Sequence, residues 1–80
     1  MSWFVYIIEA SDHSLYTGIT TDLERRFQQH ACGTGAKYFN GRSPVKFVYT
    51  ETADNRSCAS VREAQIKKLT RAQKQQLIMR

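Results

Sequence analysis

Val5-Tyr6-Ile7-Ile8-Glu9, the five residues from Ala10 to Ser14, and then Leu15-Tyr16-Thr17-Gly18-Ile19-Thr20 decide how this chain is read. Trp3 to Glu9 is rich in aromatic and β-branched residues, which favours a strand. Leu15 to Thr20 resumes that character, and Asp12 and Ser14 between the runs suit a turn. The two runs therefore predict an antiparallel hairpin. If Glu9 faces Leu15, then Tyr6 faces Gly18 and Ile8 faces Tyr16. Tyr6 and Tyr16 become diagonal neighbours on one face, with open space beside Tyr6 at Gly18. A slip of one residue would part the tyrosines onto opposite faces.

Downstream, Thr21-Asp22-Leu23-Glu24 has the form of a capping box, opening a helix that runs to about Cys32 and stops at Gly33. Leu23 and Phe27 are spaced to pack on the sheet. Arg26 and His30 form a second i,i+4 pair at the edge of that packed face. Gly33 to Ser43 is a loop holding three of the four glycines, with Lys37, Arg42, Tyr38 and Phe39, and Pro44 closes it. Val45 to Thr52 reads as a third strand, alternating Val45, Phe47 and Tyr49 with Lys46, Val48 and Thr50. Asp54, Asn55 and Ser57 offer caps for a helix from Cys58 to Leu69. Thr70-Arg71-Ala72-Gln73 is a second capping box, opening a helix to about Met79. The order ββαβαα predicts a single α+β domain over residues 1–80, with a small antiparallel sheet flanked by helices.

Composition sets the bounds. A chain of 80 residues buries only about 60–65% of its unfolded surface, so its core is small. With 41% hydrophobic and 24% charged residues it is globular rather than disordered. Phe4 to Ile8 is far too short to span a bilayer, and no positive segment precedes it, so a cytoplasmic protein with no membrane partner is expected. Cys32 and Cys58 lack zinc or disulfide spacing and read as small packing residues. A net charge of +5 favours polyanions without saying which.

Some residues fit structure poorly. On the second helix Ala59, Glu63 and Ile66 share one face, which puts a carboxylate on a stripe that ought to be buried. Burying a charge costs several kcal/mol unless it is paired or holds a metal. Pairing with Lys67, four residues on, is the simple alternative. Arg26 can equally be an exposed helical arginine. His30 can complement the helix dipole, and both tyrosines can be core aromatics.

Taken together, Val5-Tyr6-Ile7, Tyr16-Thr17-Gly18, Arg26 and His30 on one helix and Glu63 on the next resemble the GIY-YIG nuclease superfamily over nearly the whole chain. The run Tyr16 to Thr21, the Gly35-Ala36-Lys37 loop and Ile66 to Thr70 look like its small single-domain bacterial members. The resemblance implies a three-stranded antiparallel sheet flanked by helices. It also implies catalytic roles for Tyr6, Tyr16, Arg26, His30 and Glu63, with Glu63 holding Mg2+ or Mn2+. Val5 stands where the family has glycine and Thr17 where it has isoleucine, and neither position supplies a reacting group. The asparagine near the end of many family modules has no assignable counterpart.

The expected function is therefore a metal-dependent endonuclease, weakly sequence-specific, acting on DNA ahead of RNA, with repair or recombination as its setting. A binding module that keeps the fold without turnover is the alternative. Lys37, Tyr38, Arg42, Lys67 and Lys68 are candidate nucleic-acid contacts, with Tyr38 and Phe39 able to stack on unpaired bases. A monomer is the default.

Overall fold

The computed structural model describes residues 2–34 and 37–79. Gly35 and Ala36, part of the loop quoted for the resemblance, lie outside them. The elements follow the expected order, with one short addition. Strands β1 (Trp3–Ala10) and β2 (Leu15–Thr20) precede helix α1 (Leu23–Ala31). A single 3-10 turn, Lys37–Phe39, follows, and then come β3 (Pro44–Ala53), α2 (Arg56–Lys67) and α3 (Arg71–Ile78). The three strands form one antiparallel sheet in the order β2-β1-β3. No helix among the described residues is long and apolar enough to cross a membrane.

The first strand is central, which explains its composition. Val5, Tyr6, Ile7 and Ile8 are all fully buried because helices cover both faces of β1. The hairpin has the expected register, with Glu9 opposite Leu15, Ile8 opposite Tyr16 and Tyr6 opposite Gly18. His13 takes a positive φ in the turn, a conformation histidine tolerates better than most residues.

Two layers of side chains result. On one face Val5 and Ile7 pack with Ala59 and Ile66 of α2 and Leu77 of α3. On the other, Tyr6, Ile8 and Ala10 pack with Phe39, Leu23, Phe27 and Phe47. The pairing of Leu23 and Phe27 against the sheet is as the helix spacing implies.

Several local expectations differ. The cap of α1 is Asp22, one residue later than the box, and its carboxylate accepts the Arg25 amide at 3.0 Å. Thr20 supports it, its hydroxyl accepting the Asp22 amide and donating to the Asp22 carbonyl. Asn55 caps α2, which therefore starts at Arg56 rather than Cys58. The Thr70–Gln73 box forms as expected. Strand β3 does not alternate cleanly. Its register with β1 shifts between Ile7 and Ile8, where Tyr49 and Phe47 are the successive partners, so Val48 is an extra residue. Val48 and Tyr49 then share the face of Ile7, while Phe47 turns to that of Tyr6. Both cysteines are exposed, not packed, because Cys32 caps the end of α1 and Cys58 leaves the inward position to Ala59.

Candidate active site

Tyr6 is the centre of the arrangement. Its ring lies over Gly18 of the paired strand: a Cβ added there would stand 2.5 Å from the hydroxyl oxygen and 2.6 Å from Cζ. The space that glycine leaves is thus filled by the phenol rather than open. Phe47 packs edge-on against the same ring at 5.5 Å. The hydroxyl is bonded to Nε2 of His30 at 2.8 Å.

His30 is only 1% exposed, so it is not a surface histidine answering the helix dipole. It is the one residue of α1 whose side chain disappears into the aromatic layer. The rings of Phe39 and Tyr16 flank it at 4.6 and 5.3 Å. Loss of water, with the charge of Arg26 added, pushes its pKa down to about 4. At neutral pH it is an uncharged imidazole. Its Nδ1 is buried without a partner, and a buried lone pair is easier to leave unpaired than a buried N–H. That favours the tautomer in which Nε2–H donates to the Tyr6 oxygen.

Arg26, one turn before His30, faces the same phenol. Nη1 donates to Gln29 at 3.1 Å, whereas Nε is buried with no partner. Burial raises the Tyr6 pKa to about 12 despite the opposing pull of Arg26, while the charges of Tyr16 and Glu63 add to the rise. Tyr16 is half-buried, its ring 6.3 Å from that of Tyr6. Its hydroxyl bonds no protein group among the described residues.

Four of the five residues singled out from the sequence therefore meet on one face of the sheet. Glu63 stands at one remove. Its carboxylate side chain is 23% exposed and pairs with Lys67 at 3.4 Å, the simple alternative read from the spacing. It is still close enough for its charge to act on Tyr6. Helix α2 packs its buried residues Ala59 and Ile66 on the other face of the sheet and also contacts the edge strand β2.

The proposed nucleic-acid contacts separate into two sets. Lys37, Lys67 and Lys68 are exposed. Arg42 and Tyr38 are engaged with protein: Arg42 pairs with Asp12 at 3.2 Å and lies 4.4 Å over the Tyr38 ring, which also packs on Tyr16 at 5.0 Å and Phe39 at 5.2 Å. Phe39 is 4% exposed and belongs to the core, so it cannot stack on a base. Sequence reading missed Gln29, Phe39 and Phe47 as neighbours of the site. Only Gln29, three residues after Arg26, carried a spacing signal. A groove of about 480 Å3 between α1 and β3, lined by Leu23, Glu24, Phe27, Gln28, Lys46 and Phe47, touches this centre only through Phe47.

The sequence profile of the GIY-YIG catalytic domain matches residues 2–76. The chain belongs to the GIY-YIG family. It is 58% identical over 74 residues to a UPF0213 protein of Haloquadratum walsbyi, covering 92% of this chain and 83% of that one. Two solution NMR structures are similar over 99% of this chain and 84% of theirs. One is the UPF0213 protein BH0048 from Bacillus halodurans, with 44% identity and a TM-score of 0.63. The other is EF2693 from E. faecalis, with 41% identity and a TM-score of 0.67. These relatives are the small GIY-YIG proteins expected from the sequence, and they are archaeal as well as bacterial. Membership places the chain in a nuclease-type family whose domain interacts with nucleic acid.

Proposed function

We propose that this chain is a metal-dependent endonuclease that hydrolyses phosphodiester bonds, in DNA ahead of RNA. The observation that carries the reading is the buried Tyr6–His30 bond with an unpaired guanidinium N–H of Arg26 beside it. A buried charged donor without a partner costs stability, and a phosphate oxygen would satisfy it. Arg26 would then stabilise the charge that grows on the phosphate in the transition state.

The residues fit one kind of metal site. Among the described residues no three His, Cys, Asp or Glu side chains gather, which argues against a closed protein cage such as a zinc site. A single accessible carboxylate suits a hard cation that keeps several waters and takes its other oxygens from substrate. Glu63 would hold it, as Mg2+ or Mn2+, after giving up its pairing with Lys67. Bound there, such an ion supplies Lewis-acid polarisation of the phosphate and its leaving oxygen.

The remaining chemistry falls to the chain. A phenol held at about 12 is a poor base at neutral pH, and an imidazole held near 4 is a poor proton acceptor. Bound phosphate changes the imidazole. Its negative charge offsets Arg26, which relieves the repulsion on an imidazolium, and His30 then becomes a better acceptor. In the other tautomer, with Tyr6 donating to Nε2, water could pass a proton to the Tyr6 oxygen as Tyr6 passes its own to His30. Tyr16, whose hydroxyl has no protein partner among the described residues, would orient the attacking water or touch phosphate.

The test is cleavage of labelled single-stranded, duplex and branched DNA, and of RNA, with Mg2+ or Mn2+. Wild-type protein should cut, and Arg26→Ala and Glu63→Ala should each slow cutting by about a hundredfold or more. Undiminished cleavage by either variant would sink the assignment. Salt-sensitive binding without cleavage under either metal would instead assign a binding module.

A further inference from the structure

We propose that the segment Lys37–Ser43 is a latch that holds Tyr16 and His30 in their working geometry, with Arg42 as its positioning residue. The proposal rests on the nuclease reading above for what that geometry is for. The segment follows α1 and has a single 3-10 turn, so little regular structure holds it. Apart from the burial of Phe39, what fixes it is a set of bonds to the β1–β2 turn. Arg42 Nη1 pairs with Asp12 Oδ2 and donates to Ser14 Oγ, both at 3.2 Å. The Tyr38 hydroxyl also donates to Ser14 Oγ. Ser14 Oγ donates in turn to Asp12 Oδ1 at 2.5 Å, and Asp12 accepts the Ser14 amide as well. A second link joins the ends of the same two segments, Ser11 N to the Ser43 carbonyl at 2.8 Å and Ser43 N to Ser11 Oγ at 3.0 Å.

The bonding is complete. Ser14 Oγ donates once and accepts twice, which is all a hydroxyl can do. The guanidinium is used twice over, its edge on Asp12 and Ser14 and its face on the Tyr38 ring at 4.4 Å. Ser14 and Arg42 together hold the Asp12 carboxyl below its ordinary range, so the acid is charged at neutral pH. A phosphate contact by Arg42 would have to break this set.

The latch ends on the candidate catalytic groups. Tyr38 packs on Tyr16 at 5.0 Å, and Phe39 packs on His30 at 4.6 Å and on Tyr16 at 5.2 Å. Phe39 is also what completes the burial of the imidazole. Releasing Arg42 would therefore loosen two catalytic groups at once without removing either.

The experiment compares wild type with Arg42→Ala, Arg42→Lys and Asp12→Asn, in cleavage kinetics and in the NMR signals of the His30 ring. In Arg42→Ala, kcat should fall about tenfold to a hundredfold while KM moves by less than about twofold. The His30 ring signals should lose the displacement caused by the Phe39 and Tyr16 rings. Arg42→Lys should recover only part of kcat, since an ammonium can pair with Asp12 but lacks a planar face for Tyr38. A raised KM at unchanged kcat, with His30 signals unmoved, would overturn the latch and make Arg42 a substrate contact. If wild type cuts nothing, the nuclease reading falls and the His30 signals alone decide the latch. Should Arg42→Ala fail to fold, Asp12→Asn must show the same signs for the proposal to stand.

Discussion

Val5 and Ile7 point into aliphatic side chains from α2 and α3, whereas Tyr6 and Ile8, one residue away on the same strand, point into rings and titratable groups. The aliphatic layer has one buried polar atom without a partner among the described residues, the Thr17 hydroxyl, and its polar edge is paired, Tyr49 donating to Glu51 at 2.7 Å and Glu51 bridged to Arg62. The aromatic layer carries unpartnered atoms at Arg26 and His30, and two pKa values driven far from their ordinary range. Such features cost stability and are expected where a binding or reacting partner would satisfy them. One strand thus serves both as the anchor of the fold and as one wall of the site.

Substitutions can break this contrast in order of expected effect. Ile66→Ala, on the aliphatic side, should cost about 2–5 kcal/mol in denaturant unfolding, with cleavage by the folded fraction unchanged. A loss of cleavage as large as the loss of stability would erase the distinction. Arg26→Ala should do the reverse. About a hundredfold to a thousandfold loss of rate is expected, with a melting temperature that stays or rises because an unpaired buried group has gone.

Gly18→Ala tests where the layers meet. Its Cβ would collide with the Tyr6 phenol, so about 1–3 kcal/mol of stability should go together with activity. Wild-type stability and rate in this variant would mean that the phenol does not lie over Gly18.

The pH profile sharpens the same contrast. His30 has a folded pKa below its unfolded 6.5, so the unfolded chain binds the extra proton between about 4 and 6.5. Stability from this group is therefore complete above 6.5 and is lost as pH falls towards 4. Tyr6 is the opposite case, its contribution complete below 10 and lost as pH rises towards about 12. Calorimetry across both windows should show a decline at each end, and His30→Phe should flatten the acidic one. The smallest effect belongs to Lys67→Ala. Its exposed pair with Glu63 contributes about 0.2–0.5 kcal/mol, so stability should barely move while Glu63 binds Mg2+ at lower concentration.

Much of this was readable from the residues. The hairpin register followed from the five-residue connection and the two apolar runs, and it placed Tyr6 beside Gly18. Periodicity put Arg26 and His30 on one side of α1. What stayed hidden depended on contacts distant in sequence. Nothing in the spacing of α1 reveals that His30 is sealed by Phe39, because that burial comes from a residue of the following loop. Strand β3 looked regular since bulges leave no mark in an apolar alternation. Arg42 and Tyr38 looked like surface groups for nucleic acid because their partners, Asp12 and Ser14, lie on the far side of α1 in sequence. Glu63 was legible as a misplaced charge and its pairing with Lys67 as the simple alternative, but its nearness to Tyr6 was not, because that depends on how α2 packs on the sheet.

The central proposal is that Glu63, whose charge acts on Tyr6, belongs to the same site and holds the metal there. Titrating Mn2+ into the protein and following paramagnetic broadening of its NMR signals tests this most directly. Broadening should centre on Glu63 and extend to Tyr6, Gly18 and Arg26, and it should vanish in Glu63→Gln. Broadening centred on another acid such as Asp12 or Glu51, or unchanged by Glu63→Gln, would contradict the account.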